Sequence, residues 1–194
     1  MASFDKNKWY QIYANNTKDG AFVGTQLYNN STTGAIFYTY SGANTTKGDQ
    51  RWQFYPVDSS SGASNTYIIR SSDSGPEGVL GTKFNATAPE GILCQMIRSN
   101  VSDESIYWSV EPWHDGTFYM TNRRNASGWH FAAKKSGGAT YMDSNLTAPQ
   151  DWQRLGFAPV RSIDDGRFST VKVCLCGLGW VGHFWGIMTN MCMR

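Results

Sequence analysis

Apolar and polar residues alternate along short runs of this chain, and clusters of Gly, Asn, Ser and Thr separate the runs. Phe22, Gly24 and Gln26, or Tyr67, Ile69 and Ser71, follow the period of two that marks a strand with one buried face and one wet face. The runs recur in order. A first segment carries KWYQIY from Lys8, GAFVGTQLYNN from Gly20, GAIFYTY from Gly34 and DQRWQF from Asp49. A second carries NTYIIRSS from Asn65, EGVLGTKFNAT from Glu77, CQMIR from Cys94 and SIYWSV from Ser105. A third carries GTFYMTNR from Gly116, SGWHFAAKK from Ser127, ATYMD from Ala139 and QDWQRLGF from Gln150. Trp52, Trp108 and Trp152 mark matching points of the three segments. One such segment cannot bury its apolar face alone. Three closing on one another give twelve short strands in a barrel without free edges, its centre filled by one indole per segment.

Composition supports this all-β expectation. In 194 residues Leu occurs 7 times and Glu 4, whereas Gly reaches 20 and the aromatic share is 14%. Helix formers are scarce and turn and strand formers abundant. The 17 basic and 15 acidic residues are scattered, so the net charge of +2 does not form the basic stripe that nucleic-acid binding requires. Disorder is disfavoured by the aromatic content despite a mean hydropathy of −0.45.

The four cysteines do not form a disulfide framework, since Cys174, Cys176 and Cys192 crowd the C-terminus and only Cys94 lies in the body. Eight Asn-x-Ser/Thr patterns begin at Asn15, Asn29, Asn30, Asn44, Asn85, Asn100, Asn125 and Asn145. Composition alone gives on the order of two or three, so the excess points to the secretory pathway, although loops rich in Asn and Thr produce the same pattern. The first residues carry no apolar run of signal-peptide type. Residues 173–193 are apolar but interrupted by four Gly, His183, Thr189 and Asn190, which makes a poor membrane span.

Gln50-Arg51-Trp52 and Gln150-Asp151-Trp152 resemble the Q-x-W signature of ricin B-type lectin domains, and the second segment departs from it with Ile106-Tyr107-Trp108. FDKNKWYQIY, QRWQFYPVD, VLGTKFNAT and SNLTAPQDWQ are further similar to a group of fungal trefoil proteins without an assigned function, over roughly residues 4–170. The resemblance implies a β-trefoil of three repeats with four short strands each over residues 1–160, followed by an irregular tail over 161–194. In those fungal proteins the trefoil resembles an ectodomain ahead of a Ser/Thr-rich linker and one membrane span. Residues 171–194 match neither and have the composition of an unselected reading frame. The resemblance and the sequons together place the chain outside the cell or at its surface.

Ricin B-type lectins hold galactose-like sugars with an Asp on the second strand, a stacking aromatic on the next hairpin and a polar residue beside Q-x-W. A carboxylate accepts from two adjacent hydroxyls, and a ring covers the C–H face of the sugar. The matching positions here are Gly24, Gly81 and Ala132, with Phe37 and Thr39 on the first hairpin, so the galactose carboxylate is absent from all three repeats. Two sites remain. In the first repeat Tyr38 and Tyr40 offer rings, or else alternate-strand packing, and Asp49 and Gln50 offer acceptors. The turn Trp113-His114-Asp115 sets a ring in a polar, Gly-ended loop, where it is either exposed or caps the barrel.

Catalysis is not expected. His114, His130 and His183 have no nucleophile at motif spacing, and Asp103-Glu104 and Asp164-Asp165 are neighbours that point to opposite faces of a strand. Gly177-x-Gly179-x-x-Gly182 lacks a strand–helix context, and Cys174, Cys176, Cys192 and His183 lack zinc-site spacing, so no cofactor or metal is expected. The expected partner is a glycan or glycoprotein. The alternative is a protein-binding trefoil or protease inhibitor working through the loops at 58–65 and 99–105.

Overall fold

The computed structural model describes residues 2–14, 19–27, 32–40, 42–57, 65–88, 91–98, 104–125, 127–133, 138–146 and 150–171, with 84–88 described for backbone only. The strands are β1 (Lys8–Ala14), β2 (Ala21–Gly24), β3 (Thr33–Gly34), β4 (Ile36–Thr39), β5 (Trp52–Pro56), β6 (Thr66–Ser71) and β7 (Gly78–Ala88). They continue with β8 (Gly91–Arg98), β9 (Trp108–Pro112), β10 (Phe118–Asn122), β11 (His130–Ala132), β12 (Gly138–Ala139), β13 (Tyr141–Asp143) and β14 (Leu155–Ser162). Two of these, β3 and β12, lie outside the four strands expected per segment; they form where a neighbouring hairpin offers an edge, β3 on β8 and β12 on β4.

Six strands close on themselves. β1 pairs with β5 and β14, β5 with β6, β6 with β9, β9 with β10, and β10 with β14, all antiparallel. Closure leaves the ring itself without a free edge. The predicted alternation holds around the ring: Tyr10, Ile12 and Ala14, then Trp52 and Phe54, Tyr67 and Ile69, Trp108 and Val110, Met120 and Leu155 all enter one core. Three hairpins, β2–β4, β7–β8 and β11–β13, cover one end and add Phe22, Leu80, Met96, Phe131 and Met142 to it. The N-terminal segment supplies Phe4, whose ring stacks on Phe54 at 4.0 Å and meets Tyr10, Tyr67 and Phe157 edge-on.

The indoles explain how barrel and hairpins lock. Trp52 and Trp108 are fully buried, each worth about 1.5–3 kcal/mol of burial. Trp52 Nε1 donates to Phe22 O at 3.0 Å and Trp108 Nε1 to Leu80 O at 2.8 Å, so each ties a barrel strand to the first strand of a hairpin. Trp152 departs from this expectation. It is half-buried within the 3₁₀ turn Asp151–Gln153, beside Tyr40, and the core position two residues beyond that turn is taken by fully buried Leu155. Gln153 does in the third segment what Gln50 does in the first. Gln50 accepts from Asn44 N at 2.6 Å and donates to Gly42 O at 3.2 Å, and Gln153 donates to Asn145 O at 3.0 Å, each pinning the loop before its turn. In the third segment Gln153 and Leu155 thus occupy the structural places that Gln50 and Trp52 occupy in the first, and the Trp152 ring lies outside the core centre.

The boundary drawn at residue 160 falls inside β14, and the described residues beyond it, up to Val171, pack on the barrel. Ile163 N donates to Asn7 O, and Phe168 is buried edge-on against Trp9. Arg70 holds this strap from within. Its guanidinium is buried, without a carboxylate partner among the described residues, and donates to Gln53 Oε1 (2.8 Å), Thr170 O (2.8 Å), Phe168 O (2.5 Å) and Pro76 O (3.3 Å). The Cys174, Cys176, Cys192 and His183 group and the 173–193 stretch lie outside the described residues, as does most of the loops 58–65 and 99–105. Among the described residues no helix is long and apolar enough to cross a membrane.

Candidate functional site

The first-repeat site does not assemble as expected. Tyr38 is 2% exposed, packs on Phe22 at 4.9 Å and takes Ala14 N on its hydroxyl, because even positions of β4 face the core. Of the two readings open for it, packing is the one observed. Gln50 is buried and its amide is spent on the Gly42–Asn44 loop. Tyr40 remains outside, 39% exposed, with its ring edge on Trp152 at 5.4 Å. Asp49 sits in the 3₁₀ turn Gly48–Gln50 with one carboxylate oxygen buried and no protein donor on it. The three positions matched to the galactose carboxylate are also interior. A Cβ on Gly24 would stand 2.6 Å from Trp52 Cη2, one on Gly81 2.5 Å from Ile97 Cδ1, and Ala132 is 1% exposed. A carboxylate at any of them would enter the core instead of facing a ligand.

The Trp113 turn is different. It follows β9 and returns into β10, closed by Trp113 N donating to Thr117 O at 2.9 Å. His114 adopts a left-handed backbone at φ 63° and Gly116 at φ 90°, which reverses the chain within four residues and leaves His114 and Asp115 exposed. Asp115 Oδ1 accepts from Thr117 N and Oγ1, and its Oδ2 lies 3.1 Å from Arg154 Nε as a charge contact outside hydrogen-bond alignment. Arg154 Nη1 meets Asp151 Oδ1 at 3.2 Å, so one guanidinium stands between two carboxylates. The Thr117 bonds, and then the Arg154 charge, hold the Asp115 carboxyl below its ordinary pKa.

The Trp113 ring is half-buried against Tyr119 (centroids 4.6 Å) and His130 (5.2 Å), which also meet each other at 4.5 Å. Its Nε1 is buried with no protein acceptor. His130 is 6% exposed, its Nδ1 lies 3.3 Å from Gln153 Oε1, and burial pushes its pKa down against that bond and the charge of Asp143. The result is a pair of half-buried rings, Trp113 and Tyr119, backed by the buried His130 ring, beside a rim of Asp115, Arg154 and Asp151. Sequence reasoning found Trp113, His114 and Asp115 and missed Tyr119, His130, Asp151 and Arg154. Strand parity carried the signal for Tyr119, since the core residue Met120 follows it and Tyr119 must face outward. Among the described residues no group of three or more His, Cys, Asp or Glu is placed to hold a metal ion.

No protein-family model matches this chain, and no curated protein matches it in sequence. Solved structures do. Cry35Ab1 superposes with a TM-score of 0.56 at 13% identity, covering 82% of this chain and 38% of that one. The designed three-fold symmetric protein ThreeFoil gives 0.57 at 15% identity over 77% of this chain and 96% of that one. A Polyporus squamosus lectin bound to the human-type influenza-binding epitope Neu5Aca2-6Galb1-4GlcNAc gives 0.57 at 14% identity, covering 80% of this chain and 50% of the lectin. This chain thus spans less than two thirds of Cry35Ab1 and of the lectin. The shared architecture is the β-trefoil, seen among ricin B-like lectins, and the six-stranded barrel with three capping hairpins is that fold.

Proposed function

We propose that this chain is a non-enzymatic carbohydrate-recognition trefoil, built as three repeats of the ricin B type, whose working site is the Trp113 turn. The observation that carries the reading is the pairing of the half-buried rings of Trp113 and Tyr119, backed by buried His130, with a polar rim in which Asp115 of the turn meets Arg154 and Asp151 of the neighbouring 3₁₀ turn. A sugar ring laid on Trp113 buries its C–H face, while Asp115 Oδ2 and the free edge of Arg154 take hydroxyls as acceptor and donor. Fold likeness to a glycan-bound lectin supports this class of ligand but not its identity.

One ring and two or three polar contacts support a monosaccharide Kd of about 1 mM, or ~4 kcal/mol. A glycan array followed by calorimetric titration of the best hit tests the reading. Trp113→Ala is expected to cost at least ~1.4 kcal/mol, tenfold in Kd, and Asp115→Asn a smaller loss. A flat array at high protein concentration, or a hit indifferent to Trp113→Ala, refutes it.

A further inference from the structure

The 3₁₀ turn Asp151–Gln153 and the Arg154 that follows it touch two separate groups of residues. Arg154 meets Asp115 of the Trp113 turn at 3.1 Å, and Asp151 at 3.2 Å. The half-buried Trp152 ring instead meets Tyr40, beyond the end of β4, edge-on at 5.4 Å. Tyr40 is one of two large hydrophobic side chains exposed among the described residues. Buried Tyr38 backs the pair, 5.4 Å from Tyr40 and 6.3 Å from Trp152. The turn that carries Trp152 is fixed on both sides of that ring: Trp152 O accepts from Ala133 N at 3.1 Å, and Gln153 Nε2 donates to Asn145 O at 3.0 Å.

Strand pairing fixes how the two groups lie. Leu155, the first residue of β14, pairs with Phe118 of β10 on one side and with Ala14 of β1 on the other. Trp113 and Tyr119 belong to the β9–β10 side. Tyr40 belongs to the β1 side, since the Tyr38 hydroxyl behind it accepts from Ala14 N. The start of β14, with its charged turn, therefore stands between two sets of rings. Neighbouring strands are ~4.8 Å apart, so rings over the two strands that flank β14 stand on the order of 10 Å from each other, wider than one pyranose. A chain of sugars matches this row, with C–H faces for the rings at either end and hydroxyls between them for Asp151 and Arg154. An apolar protein face would instead strip water from the Asp115–Arg154–Asp151 cluster without replacing it.

We propose that Tyr40 and Trp152 form a second sugar subsite, continuous with the Trp113 site across Asp151 and Arg154, and that the ligand is an oligosaccharide chain and not a single sugar. The inference rests on the carbohydrate reading of the Trp113 turn and deepens it. Two subsites filled by one chain act together, because the second contact follows without a further loss of translational freedom. The test is calorimetric titration of the full chain with cello-, laminari-, manno-, galacto- and chito-oligosaccharides, each from the single sugar to the hexamer. In at least one series affinity should rise with length by about tenfold or more. Tyr40→Ala should abolish that rise, Tyr40→Phe, which keeps the ring, should retain it, and Trp113→Ala should weaken every length. A single sugar bound as tightly as its hexamer, or a rise that survives Tyr40→Ala, overturns the second subsite, and the Trp113 reading then stands if Trp113→Ala still weakens binding. A rise lost in Tyr40→Ala but indifferent to Trp113→Ala overturns the continuity of the two subsites. No binding in any series overturns both readings.

Discussion

Replacing Arg70 by Met should release the C-terminal strap and lower stability more than any surface substitution. In the folded chain its guanidinium makes four hydrogen bonds at 2.5–3.3 Å, three of them to backbone carbonyls of Pro76, Phe168 and Thr170. Its cation also lies 5.0 Å from the Phe168 ring and 5.4 Å from that of Tyr55. Burial lowers its pKa to about 10, so it remains charged at neutral pH. Bonds to a charged group are worth ~1.5–3 kcal/mol each, but desolvating the cation offsets several kcal/mol of that. Removing it leaves Thr170 O and Pro76 O without donors, while Gln53 Nε2 keeps its bond to Phe168 O at 3.0 Å. The net loss is ~3–5 kcal/mol, as for breaking a buried charged cluster. At a urea m-value near 2 kcal/mol/M, the unfolding midpoint should fall by about 2 M. Arg70→Lys should recover little, because an ammonium cannot span carbonyls set for a fork. Trypsin should cut after Arg167 faster in both variants, since the strap is then loose. A midpoint within ~0.5 M of the parent would refute the reasoning.

Two further outcomes follow from particular contacts. Gly24→Ala puts a methyl 2.6 Å from Trp52 Cη2 and 3.0 Å from Ser71 Cβ, and the forced shift should cost about 1–3 kcal/mol by chemical denaturation; an unchanged midpoint would show that the core yields there. The His130 pKa is held below its ordinary 6.5, chiefly by burial, so on acidification the unfolded chain takes up a proton that the folded chain resists. Stability present above pH 6.5 is therefore lost as pH falls through the window beneath it, and the melting temperature should drop more steeply from pH 7.5 to 5.5 in the parent than in His130→Gln. Parallel slopes would contradict this.

Period-two alternation made the barrel legible, because strand parity decides which side chains enter the core, and Tyr10, Ile12, Phe54, Ile69 and Val110 obey it. Trp52 and Trp108 were legible for the same reason. The matching core position of the third segment was not, because it holds Leu155 instead of an indole. A tryptophan three residues before Leu155 mimicked the motif, and only the 3₁₀ turn fixes the register. Tyr38 and Gln50 carry groups that suit a ligand equally well on either face, and parity on β4 assigns Tyr38 to the core. Arg70 reads as a surface residue, since nothing local announces carbonyls arriving from a segment about a hundred residues later. In the candidate site the exposed turn was visible as a polar loop ending in Gly, but Tyr119, His130 and Arg154 converge on it from separate elements.

The central claim is that Trp113 meets a sugar while the other barrel indoles do not. Indole ¹⁵N–¹H spectra of the labelled chain, with the Trp113 resonance assigned by its loss in Trp113→Phe, test that during titration with the best array glycan. Saturable movement of the Trp113 signal is expected, with those of Trp52 and Trp108 stationary behind their bonds to Phe22 and Leu80. A Trp113 signal that stays still while the glycan binds elsewhere would contradict it.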